Sequence, residues 1–158
     1  MSLYQRIIAP VDDSLAAQYG LRAAIALAKD QDATLKLFTI VDEASSGYGG
    51  GELGWVEPEG LDKQLRSEAR HLLDEAVALA EAAGLTPEHE LIEAPSGHVA
   101  RAIHQASSQW QADLLVIGTH GRHGMAHMLF GSTAGEIVRS PELPILVVPA
   151  KHAGEAEQ

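Results

Sequence analysis

The sequence predicts an α/β protein: a single-domain, three-layer α/β/α sandwich of Rossmann-like type around a five-stranded parallel sheet. Short apolar runs of strand length alternate with longer stretches in which apolar residues recur every three or four positions. The runs are almost continuously apolar, as expected for strands that are covered on both faces. Right-handed crossovers between such strands place helices on both sides of the sheet.

Five strands are predicted, over residues 6–11, 35–41, 90–94, 112–118 and 145–149. The first helix follows Asp13 or Ser14, either of which can cap it. Its buried stripe is Leu21, Ala24, Ile25 and Ala28. A second helix over 61–83 places on one side Leu65, Ala69, Leu72, Leu73, Ala76, Val77 and Ala80, and Gly84 stands where a C-cap is expected. Helices over 98–110 and 132–140 complete the alternation, and residues 42–60 are expected to form a long loop.

Length and composition fit one domain over residues 1–150 with a short polar tail over 151–158. The chain has 158 residues, of which 46% are hydrophobic, and no cysteine. The lack of cysteine excludes disulfides, thiolate catalysis and cysteine-ligated metal sites. No apolar run reaches the length of a membrane span and the N-terminus lacks a secretory apolar segment, so we expect no membrane association and a cytoplasmic protein.

The charge of the chain is strongly acidic and unevenly distributed. Asp and Glu number 22 against 11 Lys and Arg, for a formal net charge of −11. Residues 42–93 hold 13 acidic and 3 basic residues, so most of the surplus lies mid-chain. We interpret it as a solvated face. It argues against nucleic-acid binding, which requires clustered basic residues.

Residues 118–133 have the pattern of a phosphate-binding loop. Their sequence, GTHGRHGMAHMLFGST, spaces Gly118, Gly121 and Gly131 as G-x2-G-x9-G and ends in Ser132 and Thr133. The segment follows a predicted strand and opens a predicted helix, so backbone N–H groups and a positive helix end converge there. It contains no acidic residue. An anion would be stabilised there without a lysine.

Other side chains of this segment are Arg122, His120, His123 and His127. His123 and His127 are four apart, which is the spacing of a metal-binding pair on a helix. No third ligand is assured, so we interpret these histidines as solvated side chains near phosphates.

Asp12 is a second candidate site residue. Ligands of doubly wound sheets bind beyond the carboxyl ends of the strands, where the winding direction reverses. If the first and fourth strands are neighbours, Asp12 faces the glycine segment. Its carboxylate could then accept hydrogen bonds from a ribose or base, or help to hold Mg²⁺ against phosphates. The alternative is a helix N-cap, which Asp13 or Ser14 could provide instead.

These motifs resemble the universal stress protein (UspA-domain) family over nearly the whole chain. The resemblance lies in G-x2-G-x9-G followed by Ser132, in ADLLVIGTHGR and LPILVVP, and in Pro10-Val11-Asp12 after the first strand. It implies the adenine nucleotide alpha hydrolase-like fold and the ATP-binding branch, with Mg²⁺ carried by the nucleotide. Adenine would lie near Val11 and Ile40, ribose near Asp12 and Gly118, and the phosphates on the glycine segment. The candidate binding residues are Pro10, Val11, Asp12, Ile40, Ile117, Gly118, Gly121, Arg122, Gly131, Ser132 and Thr133.

Catalysis does not follow from these residues. A Walker A pattern is absent, the four lysines lie outside the glycine segment, and no residue of the motif is an obvious base. We expect an ATP-binding regulator of the stress response with slow or no hydrolysis. A nucleotide-independent interaction module and a weak ATPase stay open as alternatives.

The last strand bears on assembly. An apolar strand at a sheet edge is a template for association. The resemblance implies antiparallel pairing of fifth strands in a homodimer. A regulatory protein partner is a further expectation, both for a nucleotide-binding regulator and for an interaction module.

Overall fold

Strands and helices alternate in the computed structural model, which describes residues 2–42, 58–95, 97–119 and 131–150. The order in these residues is β1 (Arg6–Pro10), α1 (Leu15–Gln31), β2 (Thr34–Asp42), α2 (Pro58–Ala82), β3 (Glu88–Ala94), α3 (Val99–Gln109), β4 (Leu114–Gly118), α4 (Ser132–Arg139) and β5 (Ile145–Val148). The predicted alternation is confirmed.

The five strands form one parallel sheet in the order β3-β2-β1-β4-β5. β1 is central: Ile8 is paired with Lys36 of β2 on one side and with Leu115 of β4 on the other. The prediction that the first and fourth strands are neighbours is therefore correct. The winding direction reverses between them, so the ends of β1 and β4 meet at the point where such sheets bind ligands.

Two apolar clusters cover the two faces of the sheet, which confirms the three layers. One cluster joins Ile7 and Leu37 to α1 and α2, and the other joins Ile8 and Phe38 to α3 and α4. Successive strand residues thus enter opposite clusters, as the pleat of a strand requires. Because both faces are covered, the strands carry apolar residues at consecutive positions.

Several boundaries differ from the prediction by one to three residues, among them those of β3, α2 and α3. β3 begins at Glu88 and not at residue 90, because its first residues pair with β2 from Lys36 onward although they are exposed at the sheet edge. α2 begins at Pro58, where proline is tolerated because a first-turn N–H needs no helical partner. The connection after β2 is therefore shorter than residues 42–60. α3 begins at Val99, with His98 as its N-cap.

The caps of α1 and α2 agree with the sequence. Ser14 is the N-cap of α1, and its hydroxyl accepts a hydrogen bond from the Ala17 N–H at 3.1 Å. Gly84 follows α2 with φ +93°, a value that favours glycine. The N–H of Leu85 donates to the carbonyl of Ala80, which is the Schellman pattern of a helix end.

A clamp ties the chain start to the opening of β4. The Asp113 carboxylate accepts hydrogen bonds from the N–H groups of Gln5 (2.8 Å) and Arg6 (2.9 Å). The Arg6 guanidinium donates to the carbonyl of Trp110 and lies 4.0 Å from the centre of its indole ring. The clamp fixes β1 against β4, and so fixes the relative positions of their carboxyl ends.

Among the helices that the structure describes, none has both the length and the apolar character that crossing a membrane requires.

Candidate nucleotide site

A cavity of about 680 Å³ opens at the carboxyl ends of β1, β2 and β4. Its volume lies within the range of roughly 300–1,000 Å³ that is usual for small-molecule sites. Ile40 and Ile117 contribute apolar surface from the ends of β2 and β4, and Val99, Ile103 and Ile137 contribute it from α3 and α4. The cavity thus combines a position at the topological switch point with an apolar lining that suits a flat ring.

Three helices begin at this cavity. The lining includes Asp12 and Asp13 before α1, Gly97 before α3, and Gly131 before α4. The first N–H groups of a helix have no partner within the helix, and its N-terminus carries a partial positive charge. Three positive helix ends therefore face one space, which favours an anionic ligand.

The start of α4 is held by hydrogen bonds on both sides. The Gly131 N–H donates to the carbonyl of Thr119 at 2.7 Å, which joins the end of β4 to the start of α4. The Gly131 carbonyl accepts from the Gly135 N–H at 2.8 Å. Ser132 and Thr133 follow, and both line the cavity. Their N–H groups and hydroxyls are hydrogen-bond donors of the kind that phosphate oxygens accept.

Asp12 lies between β1 and α1 and lines the cavity. One of its carboxylate oxygens, Oδ1, accepts a hydrogen bond from the Ser14 N–H at 2.6 Å. Ser14, and not Asp12, caps α1. The hydrogen bond from the Ser14 N–H holds the Asp12 carboxylate in place. Because Ser14 caps α1, the alternative role of Asp12 as a helix cap is not needed.

The described lining is acidic. Its carboxylates are Asp12, Asp13, Asp42, Glu68 and Glu136, and it holds no lysine or arginine among the described residues. Arg122, the basic residue that the sequence places near the phosphates, lies outside the described residues. Helix ends are therefore the positive groups in this part of the site, and a cation bound with a polyphosphate would reduce its repulsion from the carboxylates.

Gly118 ends β4 beneath α1, and its lack of a side chain has a packing reason. A Cβ placed on Gly118 would lie 2.6 Å from the carbonyl carbon of Ala16 and 2.9 Å from its Cβ. A Cβ on Gly20 would lie 3.3 Å from the Gly118 N. These glycines let α1 approach β4 closely. The first glycine of the motif is thus required by the fold, whatever the cavity binds.

The structure brings together every candidate binding residue that it describes. The nine that line the cavity are Pro10, Val11, Asp12, Ile40, Ile117, Gly118, Gly131, Ser132 and Thr133. Gly121 and Arg122 lie outside the described residues, as do His120, His123 and His127, so their interpretation stays a prediction.

Two walls of the cavity were not predicted from the sequence. One is formed by the amino half of α2, including Leu65, Ala69 and Leu72, which the helical periodicity marked only as core. The other is the start of α3, where Val99 and Ala100 line the cavity. Thr39 was also missed, because a threonine within an apolar strand carries no signal in the pattern. The marker for Thr39 was its position near the carboxyl end of β2, and the marker for the helical residues was their position toward the amino ends of α2 and α3. Only the sheet order made these markers usable.

Comparison with known proteins gives a family match over most of the chain. A family model described as Universal stress protein family matches residues 3–149. A universal stress protein of Methanocaldococcus jannaschii is 30% identical over 147 residues, which cover 93% of this chain and 83% of that protein. A universal stress protein A homolog of Coxiella burnetii is 30% identical, with coverage of 92% and 96%.

Solved structures of the same fold include ligand complexes. A universal stress protein family structure from Burkholderia pseudomallei has a TM-score of 0.73 and 28% identity, covering 95% of this chain and 99% of that one. The Archaeoglobus fulgidus protein in complex with dAMP has a TM-score of 0.64 and 21% identity, with coverage of 92% and 98%. An Arabidopsis thaliana family member with AMP bound has a TM-score of 0.66 and 15% identity, with coverage of 96% and 94%.

Proposed function

Because this chain belongs to the universal stress protein family, we propose that it binds an adenine nucleotide, ATP, in the cavity at the carboxyl end of its sheet. The observation that carries the proposal is the convergence of three helix N-termini on a cavity with apolar walls. A nucleotide presents the two chemistries that such a cavity can hold, an anionic chain and a flat, largely apolar ring.

The positions of the strands suggest how the nucleotide lies. The phosphates belong at the start of α4, where Gly131, Ser132 and Thr133 supply N–H and hydroxyl donors. The ribose belongs at Asp12, whose carboxylate accepts hydrogen bonds. The base then lies over the end of β2, near Val11 and Ile40. Gly121 and Arg122 complete the phosphate site in this proposal.

Two observations beyond this chain agree with the proposal. The Archaeoglobus fulgidus and Arabidopsis thaliana proteins, which have the same fold, bind dAMP and AMP. At 21% and 15% identity they share the fold, and both the location of the site and the assignment of individual residues rest on the cavity of this chain.

Mg²⁺ is the cation that we propose to accompany ATP. Carboxylate and phosphate oxygens are the ligands that Mg²⁺ prefers, and the acidic lining with Asp12 beside the proposed ribose position fits that donor set. Asp12 would hold the ion directly or through water. The ion would neutralise phosphate charge.

For the biological role, we propose nucleotide-dependent regulation in the stress response, in the cytoplasm, with slow or no hydrolysis. Lys29, Lys36 and Lys63 lie away from the cavity lining, so the lysine that phosphoryl-transfer sites of P-loop enzymes use has no counterpart among them. The domain would extend over residues 1–150, followed by a short polar tail. A regulatory protein partner would distinguish the nucleotide-bound form from the nucleotide-free form.

Assembly through β5 is part of the proposal. β5 is an edge strand, and Leu146 within it is 38% exposed, while Val138 of the neighbouring α4 is 37% exposed. Antiparallel pairing with a second β5 would satisfy the outer backbone groups of the strand and cover these side chains. We therefore propose a homodimer.

Calorimetric titration of Mg-ATP into nucleotide-stripped protein tests the binding proposal. We expect saturable binding by the wild type. Gly131→Val should weaken it by about tenfold or more, because a branched side chain at the start of α4 crowds the N–H groups that hold the phosphates. The backbone at Gly131, with φ −65° and ψ 168°, accepts any residue. Ser140→Val at the other end of α4 is the matched control and should bind as the wild type does.

The outcomes separate the function classes. A folded wild type that binds no nucleotide would contradict the proposal and favour the interaction module. Rapid phosphate release in the same samples would favour the ATPase.

A further inference from the structure

The cavity has a second lobe on the α2 side of the sheet. Side chains of β2 alternate between faces, and Leu35 and Leu37 enter the apolar cluster formed with α1 and α2. Thr39 and Val41 are the next two residues of β2 whose side chains point to this face of the sheet. Both line the cavity. This lobe therefore lies on the face opposite to Ile40.

The wall of the lobe is the first half of α2. In the second half of the helix, Leu73, Ala76 and Ala80 belong to the core cluster. One stripe of the same helix continues toward its start through Leu72, Ala69 and Leu65, and these residues line the cavity. The first half of α2 thus extends beyond the part of the sheet on which its second half packs. Its apolar stripe therefore lines the cavity there and is not part of the core cluster.

Thr39 lies deep in this lobe. Its exposed fraction is 3%. Within the described part of the chain its hydroxyl makes no hydrogen bond, and unlike the enclosed His104 Nδ1 it opens to the cavity. Ser107, the other buried residue with a hydroxyl, is 1% exposed and donates to the carbonyl of Ile103 at 2.8 Å. A ligand in the cavity can therefore supply a hydrogen-bond partner to the Thr39 hydroxyl.

The order of the strands indicates which part of a nucleotide reaches this hydroxyl. β2 and β4 lie on opposite sides of β1. At a spacing of roughly 4.8 Å between strands, their ends are about 10 Å apart. With phosphates at α4 beside β4 and the ribose at β1, the base lies over the end of β2, between Ile40 on one face of the sheet and Thr39 on the other. The lobe suits a base, because apolar side chains with one hydroxyl fit an uncharged ring with a polar edge and not a phosphate.

We propose that Thr39 is a specificity-determining residue of the nucleotide site, whose hydroxyl forms a hydrogen bond with the polar edge of the base in the α2-side lobe. The inference rests on the proposed nucleotide binding and adds to it a residue and a side of the sheet.

Three variants test it. Thr39→Val replaces the hydroxyl by a methyl group of the same shape, Thr39→Ser keeps the hydroxyl, and Thr34→Val makes the Val change at an exposed position at the start of the same strand. Titrations with Mg-ATP and Mg-GTP should show that Thr39→Val weakens ATP binding by roughly 2- to 12-fold, the range for one hydrogen bond. It should also change the ratio of ATP to GTP affinity. Thr39→Ser should stay within about twofold of the wild type, and Thr34→Val should match it.

The melting temperature of the nucleotide-free protein supplies a second readout. Thr39→Val should melt at about the same temperature as the wild type, because the hydroxyl that it removes makes no hydrogen bond within the described residues. A lower melting temperature would mean that the hydroxyl is structural and would overturn the proposal.

Other results would overturn it in distinguishable ways. Unchanged ATP affinity in Thr39→Val would mean that the hydroxyl does not touch the ligand, although nucleotide binding itself would stand. An equal loss for ATP and GTP would place it at the ribose or phosphates. Absence of binding in the folded wild type and in Thr34→Val alike would overturn the nucleotide proposal and this one with it.

Discussion

Replacing Gly118 by alanine should lower the free energy of unfolding by about 1–3 kcal/mol, the usual cost of overpacking. The added Cβ would lie 2.6 Å from the carbonyl carbon of Ala16, 2.7 Å from its oxygen and 2.9 Å from its Cβ. Carbon atoms in favourable contact are roughly 3.5–4.0 Å apart, so α1 and β4 must separate by about 1 Å. Two of the three crowded atoms are backbone, and no side-chain rotation can relieve the crowding.

Thermal unfolding of the nucleotide-free protein measures this effect without a contribution from ligand binding. A loss of 1–3 kcal/mol corresponds to a melting temperature lower by roughly 2–12 °C for a chain of this size. Protein concentration must be held constant, because association would change the melting temperature.

Gly20→Ala is the matched control on the helix side of the same contact. Its Cβ would lie 3.3 Å from the Gly118 N, a contact that a small adjustment relieves. Alanine within a helix is also favoured over glycine by roughly 0.5–1 kcal/mol. The control should therefore change the melting temperature much less. An unchanged or higher melting temperature for Gly118→Ala would refute the packing explanation of this glycine.

Asp113→Ala should lower the free energy of unfolding by about 1.5–3 kcal/mol, because the carboxylate accepts hydrogen bonds from the N–H groups of both Gln5 and Arg6. Urea unfolding measures the change. An unaltered midpoint would mean that water replaces the carboxylate without loss of stability. Leu146→Lys should convert the proposed dimer to monomers in light scattering, because it puts a charge on the edge strand at a 38% exposed position that the fold tolerates. Leu3→Lys, at a 76% exposed position, is the control; an unchanged dimer in Leu146→Lys would place the contact elsewhere.

Local signals in the sequence were sufficient for the fold. The continuous apolar runs identified the buried strands, and Ser14 and Gly84 marked a helix start and a helix end. The start of β3 was missed because Glu88 and His89 lie at an exposed edge, where pairing with β2 and not side-chain burial defines the strand. Hydrophobic periodicity identifies buried residues, and the first residues of β3, at the sheet edge, are exposed.

The candidate site could be predicted only in part. Gly131, Ser132 and Asp12 stand beside strand ends in the sequence, and the rule for doubly wound sheets brings them together. Thr39 and Ala69 lie in separate elements whose meeting depends on the length of α2 and on the depth of the cavity. Their role is a property of tertiary packing, so no local pattern could indicate it. The packing reason for Gly118 is likewise visible only once Ala16 is placed above it.

A crystal structure of the protein with Mg-ATP would test the central claim most directly. We expect nucleotide density across the carboxyl ends of β4, β1 and β2, with the phosphates at the N–H groups that open α4, the ribose at Asp12 and the base over the end of β2. Density for the nucleotide at another surface, or a cavity that stays without ligand at saturating ATP, would contradict it.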